Sequence, residues 1–192
     1  VLETSVVGIF VLDADFRVVW INAAIEEYMG VRRDDILGSS KPRLVRERIR
    51  HIFEDGERFA RKVLNAYDDN TYVERFECHV LPGEGRAERW LEHWSKPISS
   101  GLYAGGRVEH YQDITQRKGL EGALEEERDF ANAVVQTLPD LFYMFDLDGR
   151  FRRWNGYLEE FTGYRAEEIE GMHPLDFFPE EEREGMWEAI QR

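Results

Sequence analysis

Leu141–Phe145 (LFYMF), Asp146-Leu147-Asp148-Gly149, Phe151–Trp154 (FRRW) and Asn155 repeat, in order, an earlier stretch of the same chain. The earlier stretch is Ile9–Leu12 (IFVL), Asp13-Ala14-Asp15, Val18–Trp20 (VVW) and Asn22. Further on, Phe161-Thr162-Gly163-Tyr164 parallels Tyr28-Met29-Gly30-Val31. Ala166-Glu167-Glu168-Ile169-Glu170-Gly171 likewise parallels Arg33-Asp34-Asp35-Ile36-Leu37-Gly38. Several elements recurring in one order signal two copies of one structural unit. The second copy stops at Arg192, before any counterpart of the strand-like segments that close the first.

Working outward, Val6–Leu12 and Val18–Ile21 are β-branched and aromatic runs around a short polar turn, which predicts a β-hairpin. Asn22 stands where a helix N-cap would be, ahead of Ala23–Glu27, and Gly30 ends that helix. Residues 43–65 carry apolar side chains at helical spacing, with Asp55-Gly56 between two helices. The period then changes to two. Tyr72, Phe76, Cys78 and Val80 alternate with Arg75, Glu77 and His79, as in a half-buried strand. Pro82–Gly85 is a turn, and Arg89–Ile98 and Arg107–Ile114 read as two more strands. The first unit is therefore expected to be an antiparallel α+β domain. Residues 116–136 lack proline and are rich in Glu, Leu and Ala. Leu120, Leu124, Glu127, Ala131, Val134 and Leu138 follow a heptad seam with one defect, Glu127. An amphipathic linker helix and a short coiled coil are both consistent with that pattern.

The Asp-x-Asp hairpin turn, the Asn after the second strand, and above all Asp113-Ile114-Thr115-Gln116-Arg117-Lys118 carry a family resemblance. The last stretch resembles the D-I-T-x-R-K ending of bacterial PAS (Per-ARNT-Sim) sensory domains, where the domain hands over to an output helix. Phe161–Tyr164 and His173–Phe178 are similar to the corresponding stretch of other sensory PAS domains. The resemblance implies a PAS fold, a five-stranded antiparallel sheet with helices on one face. It divides the chain into a complete domain over 1–117, a helical linker over 118–137, and the N-terminal half of a second PAS domain over 138–192. It also implies a sensor that detects a signal or ligand and relays it through the C-terminal helix to an output domain outside this chain. Histidine kinases of two-component systems and diguanylate cyclases are the expected outputs. A ligand-free dimerisation and relay module is the alternative.

Composition narrows the partners. The chain has 192 residues, is 42% hydrophobic and 13% aromatic, and can bury a core. Its formal net charge of −14 disfavours nucleic acid and anionic lipid and reads as a solvated surface. No apolar run is long enough to cross a bilayer. One cysteine, Cys78, excludes an intramolecular disulfide and a cysteine-based zinc site, and with it a cytoplasmic location is expected. The chain opens on Val1 rather than methionine, as a segment of a longer chain would, which leaves an upstream anchor open. The expected partner is a second copy, through the PAS domain and the linker helix.

No nucleophile elbow, phosphate loop, zinc-protease or dinucleotide motif occurs, so no catalytic residue is expected. Tyr72, Phe76, Cys78, Trp90, Trp94 and Tyr111 make the later strands aromatic. They are the candidate lining for a small-molecule ligand, against the plainer reading of core or interface. Haem, through His51, and flavin, through Cys78, are the cofactor alternatives. His51 lies off the apolar helical face, and Cys78 lacks the Asn-Cys-Arg-Phe setting of light-oxygen-voltage domains, so each reads better as structural. No metal site is expected; His93 and His110 read by default as strand-surface residues. Asp113, Ile114, Thr115 and Arg117 are the expected relay residues. Thr115 is expected to cap the linker helix, and Arg117 to pair with Asp113.

Overall fold

The computed structural model describes residue 3, residues 5–183 and residue 185. The ends of the expected ranges 1–117 and 138–192, at residues 1, 2, 4, 184 and 186–192, lie outside the described residues. The chain forms two compact units, Val1–Glu121 and Gly122–Arg192.

In the first unit, β1 (Val7–Leu12) and β2 (Val18–Ile21) form the expected hairpin. The Asp13 carboxylate accepts from the amides of Asp15 and Arg17 and so shapes the turn. Helices α1 (Ala23–Met29), α2 (Arg33–Ile36) and α3 (Lys41–Glu47) follow, then a 3-10 turn (Ile49–Ile52) and α4 (Gly56–Asp68). The Asp55 carboxylate caps α4 through the Arg58 amide. Strands β3 (Val73–Val80), β4 (Arg89–Pro97) and β5 (Arg107–Asp113) complete an antiparallel sheet of order β2-β1-β5-β4-β3. The helices cover one face, and a single core joins Phe10, Ile21, Ile25 and Val45 to Phe59, Val80 and Leu91. The α+β architecture is the expected one.

Asn22 occupies the N-cap position of α1, but its side chain works elsewhere. Oδ1 accepts from the Ile9 amide at 2.9 Å, and Nδ2 donates to the Val7 carbonyl at 2.7 Å. Fully buried, it pins the entry to β1 against the exit from β2.

Helix α5 (Thr115–Thr137) starts at the residue after Ile114 and has no buried residue along its length. Among the described residues no helix is long and apolar enough to cross a membrane.

The second unit repeats the opening of the first with β6 (Tyr143–Phe145), β7 (Phe151–Trp154), α6 (Gly156–Thr162) and α7 (Ala166–Ile169). The repeat extends to individual bonds. Asn155 Oδ1 accepts from the Phe142 amide, as Asn22 does from Ile9. Asp146 Oδ1 accepts from the Asp148 and Arg150 amides, as Asp13 does from Asp15 and Arg17. Arg150 donates to the Gly171 carbonyl, as Arg17 does to Gly38. Gly30 and Gly163 end α1 and α6 at φ 63° and 75°, a left-handed conformation that suits glycine.

Candidate functional site

The six candidate lining residues separate onto different surfaces. Phe76, Cys78 and Tyr111 point into the core. Trp90 and Trp94 lie on the opposite face of the sheet, where Trp90 stacks on His79 (4.5 Å) and Trp94 on His110 (4.9 Å). Tyr72 precedes β3 and is 54% exposed. A register shift between Val73 and Phe76 puts both of these residues inside and breaks the simple alternation that had placed Tyr72 with Phe76. Cys78 donates to the Leu91 carbonyl at 3.4 Å, and burial pushes its thiol well up, as befits a small core residue. His51 is exposed, as expected.

What the inward face holds instead is a charged cluster. Along β5, alternation turns Arg107, Glu109 and Tyr111 inward and Val108 and His110 outward. Lys41, at the start of α3, places Nζ 2.7 Å from Glu109 Oε2, and neither side chain is exposed. The Tyr67 hydroxyl of α4 donates to Glu109 Oε1, and the Tyr111 hydroxyl donates to Oε2 at 3.2 Å. Lys41 Nζ also sits 3.0 Å from the centroid of the Phe10 ring, a cation–π contact. Among the described residues, Arg107 donates only to neutral acceptors: the Ala66 and Thr71 carbonyls, Asn70 Oδ1 and Ser95 Oγ.

These contacts explain the titration of the cluster. Burial works to raise the Glu109 carboxyl, but the charge of Lys41, the charge His93 takes up in acid, and the hydrogen bonds from Lys41 and Tyr67 outweigh it and hold the group low. Burial lowers the Lys41 ammonium against the pull of Glu109. Burial and the Glu109 charge push both tyrosines up.

His93 corrects an expectation, since it is fully buried rather than on the strand surface. It shares its face with Leu91 and Ser95, both of which point inward. Its ring stacks on Tyr111 at 4.3 Å, and Nδ1 lies 3.0 Å from the His110 carbonyl. A carbonyl only accepts, so Nδ1 carries a proton. Burial lowers its pKa to about 4.

The junction between β5 and α5 also differs in its partners. Thr115 does not cap α5 with its hydroxyl, because Oγ1 accepts from the Trp90 amide of β4 at 2.9 Å. Asp113 does the local work, its Oδ1 accepting from the Thr115 amide and hydroxyl at 2.9 and 2.6 Å. Arg117 does not pair with Asp113. Arg89 does, at 2.9 Å, while Arg117 reaches Glu77 on β3 at 2.9 Å. Lys118 also bonds Glu77, at 3.1 Å, and these bonds hold the Glu77 carboxyl below its ordinary range. Ile114 is buried, and its amide donates to the Trp90 carbonyl at 2.9 Å.

The second unit carries an open apolar groove of about 350 Å3, lined by Tyr143, Phe151, Phe161, Tyr164 and Phe177 among others. The repeat matches these to Phe10, Val18, Tyr28, Val31 and Leu44, all buried in the first unit. Pro174 stands where the first unit has Lys41.

Comparison with known proteins agrees with this architecture. One family model, described as PAS fold, matches residues 2–119, and a second with the same description matches residues 129–192. Among solved structures, the chain is similar to the PAS domain of a protein from Colwellia psychrerythraea, at 19% identity over 60% of this chain and 92% of that one (TM-score 0.42). It is similar to the PAS domain of Bordetella pertussis BvgS at 21% identity, over 67% and 91% (TM-score 0.44). It is also similar to the PAS domain of an HTR-like protein from Haloarcula marismortui at 21% identity, over 59% and 85% (TM-score 0.40). No curated protein matches it. The chain belongs to the PAS family and carries two PAS units in tandem.

Proposed function

We propose that this chain is a sensory and regulatory module whose first PAS unit passes its state through α5 to an output domain beyond these residues. A histidine kinase or a diguanylate cyclase is the output class this reading carries. The observation that supports it most is the anchoring of α5. Its first turn is tied to β5 through Asp113, to β4 through Thr115 and the Trp90 amide, and to β3 through Arg117, Lys118 and Glu77. Glu109, at the centre of the buried cluster, lies on the same strand as Asp113. A rearrangement inside the unit therefore has a short covalent route to the helix.

The ligand-free form of this reading draws support from the interior, where Lys41, Tyr67, Glu109 and Tyr111 satisfy one another. A second copy is the partner we assign. Leu120, Leu124 and Val134 of α5 are 67%, 68% and 43% exposed and follow the heptad seam. The single cysteine, reduced and buried, accords with a cytoplasmic module.

The test is Thr115→Ala and Asp113→Ala in the longer signalling protein. Losing a hydrogen bond of this kind costs about 1 kcal/mol, which shifts a balanced two-state relay several-fold without unfolding a domain. The reading expects altered output with the unit still folded. Output equal to wild type in both variants would sink it. Native mass spectrometry and an absorption spectrum of protein purified from cells separate the two forms: added mass or a cofactor band favours a bound ligand, and a clean mass favours the ligand-free relay.

A further inference from the structure

On the outer face of the first unit, His79 of β3 sits between two carboxylates from different segments. Its Nδ1 lies 3.0 Å from Glu54 Oε2, in the link before α4, and its Nε2 lies 2.8 Å from Glu88 Oε1, just ahead of β4. The side chain is 15% exposed, while Glu54 and Glu88 are 66% and 62% exposed. A neutral imidazole has one N–H and can donate to only one carboxylate. With both carboxylates ionised, only the imidazolium, with its two N–H groups, can donate to both at once. Losing the proton leaves a lone pair facing a carboxylate oxygen, and one side of the clip must open.

The ring is also in contact with the relay. It stacks on the Trp90 indole at 4.5 Å with an interplanar angle of 9°. The backbone amide of Trp90 is the donor to Thr115 Oγ1, and Lys118 Nζ lies 5.1 Å from the centroid of the same indole. An imidazolium and an ammonium on one indole share its quadrupole, so charging His79 weakens the hold of Trp90 on Lys118. Lys118 is then left more fully to Glu77.

We propose that His79 is a proton-sensing input: its protonation closes a Glu54–His79–Glu88 clip and alters, through Trp90, the attachment of the first turn of α5. The input rests on the relay reading above; the clip and its reach to α5 do not. Histidine is the side chain suited to gaining and losing a proton, so the clip closes when the ring takes one up and opens when it gives it away. The charged and titratable groups around it are Glu54 and Asp55 before α4, Arg58 on α4, Glu77 and Cys78 on its own strand, Glu88 before β4, and Lys118 on α5.

The test is an NMR titration of the whole chain from pH 5.5 to 8.5. It follows the His79 ring and the amides of Trp90, Thr115 and Lys118. Wild type is expected to show one shared midpoint for all four. His79→Gln is expected to abolish the response of the three amides, and Glu54→Gln/Glu88→Gln, which keeps the ring and its stacking, is expected to move the His79 midpoint to lower pH. The proposal is overturned if the amides titrate unchanged in His79→Gln, if the ring titrates while they stay still, or if the double variant leaves the midpoint where it was. Because no signalling output is read, failure here is separate from failure of the relay, which Thr115→Ala and Asp113→Ala decide.

Discussion

Arg89 holds Asp113 from the side: its Nη1 donates to Asp113 Oδ2 at 2.9 Å, while Nη2 reaches Glu27 Oε1 on α1 at 3.1 Å. The guanidinium also lies 4.6 Å from the Tyr28 ring centroid and is 11% exposed. The carboxylate that receives the first amide of α5 is therefore fixed by the helical layer as well as by the sheet. On the same strand, Glu109 is gripped by α3 and α4 through Lys41 and Tyr67. Strand β5 thus carries two carboxylates, one anchored in the core and one at the exit.

Lys41→Met should destabilise the first unit severely. It leaves the Glu109 charge buried with only tyrosine hydroxyls to meet it, a loss of about 3–5 kcal/mol for a broken buried pair. Lys41→Met combined with Glu109→Leu should lose less than the sum of the single changes, because neither charge is then stranded. Urea unfolding of the four proteins measures this. A Lys41→Met loss under about 1 kcal/mol would show that the pair is dispensable.

Stability should fall as pH drops from neutrality, with His93 as one cause. Burial first, and the Lys41 charge after it, lower its pKa from 6.5 to about 4 against the opposing pull of Glu109. Between those values the unfolded chain takes up a proton that the folded chain refuses, so stability is lost as pH falls through that window. The span corresponds to about 3 kcal/mol. Glu109, held low, adds a second loss below the ordinary carboxylate range as pH falls towards its folded value. His93→Phe should flatten the melting-temperature slope between pH 6.5 and 4. An unchanged slope would mean that His93 does not titrate as its surroundings dictate.

Asn22→Ala and Asn155→Ala should have parallel effects on their own units. Each removes a side chain that accepts from one amide and donates to carbonyls at the base of a hairpin, and Asn22 and Asn155 are both fully buried. Stranding such groups costs about 1–3 kcal/mol. Hydrogen exchange should rise at Ile9 in the first variant and at Phe142 in the second. Equal protection in wild type and variant at either position would contradict the structural equivalence of the two residues.

Much of the fold was legible because it rests on short-range chemistry. The Asp13 and Asp146 turns, the two asparagines and the glycines after α1 and α6 each leave a residue-type signature, and their recurrence in order marked the second unit. The interior was harder to read. A strand reading Arg107-Val108-Glu109-His110-Tyr111 suggests that the charged residues face water, yet the apolar Val108 turns outward while the charges turn in. The available signal was the shared face: Tyr111, a candidate lining residue, lies on the same side of the strand as Glu109 and Arg107. Lys41 and Tyr67 are far away in sequence and meet Glu109 only through tertiary packing. The Arg89–Asp113 pair was missed for a similar reason, because Arg117 is near in sequence and Arg89 is near only across the β4–β5 ladder, where Leu91 faces Asp113.

The most direct test of the relay is amide hydrogen exchange across residues 115–121 in wild type and Glu109→Gln. The substitution keeps the shape of the side chain and removes the charge that holds Lys41 and Tyr67. If the buried cluster is coupled to α5 through β5, exchange in the first turn of the helix should change several-fold while the hairpin at Ile9 and Phe10 stays protected. Identical exchange over 115–121, with Lys41 and Tyr67 visibly released from residue 109, would contradict the account.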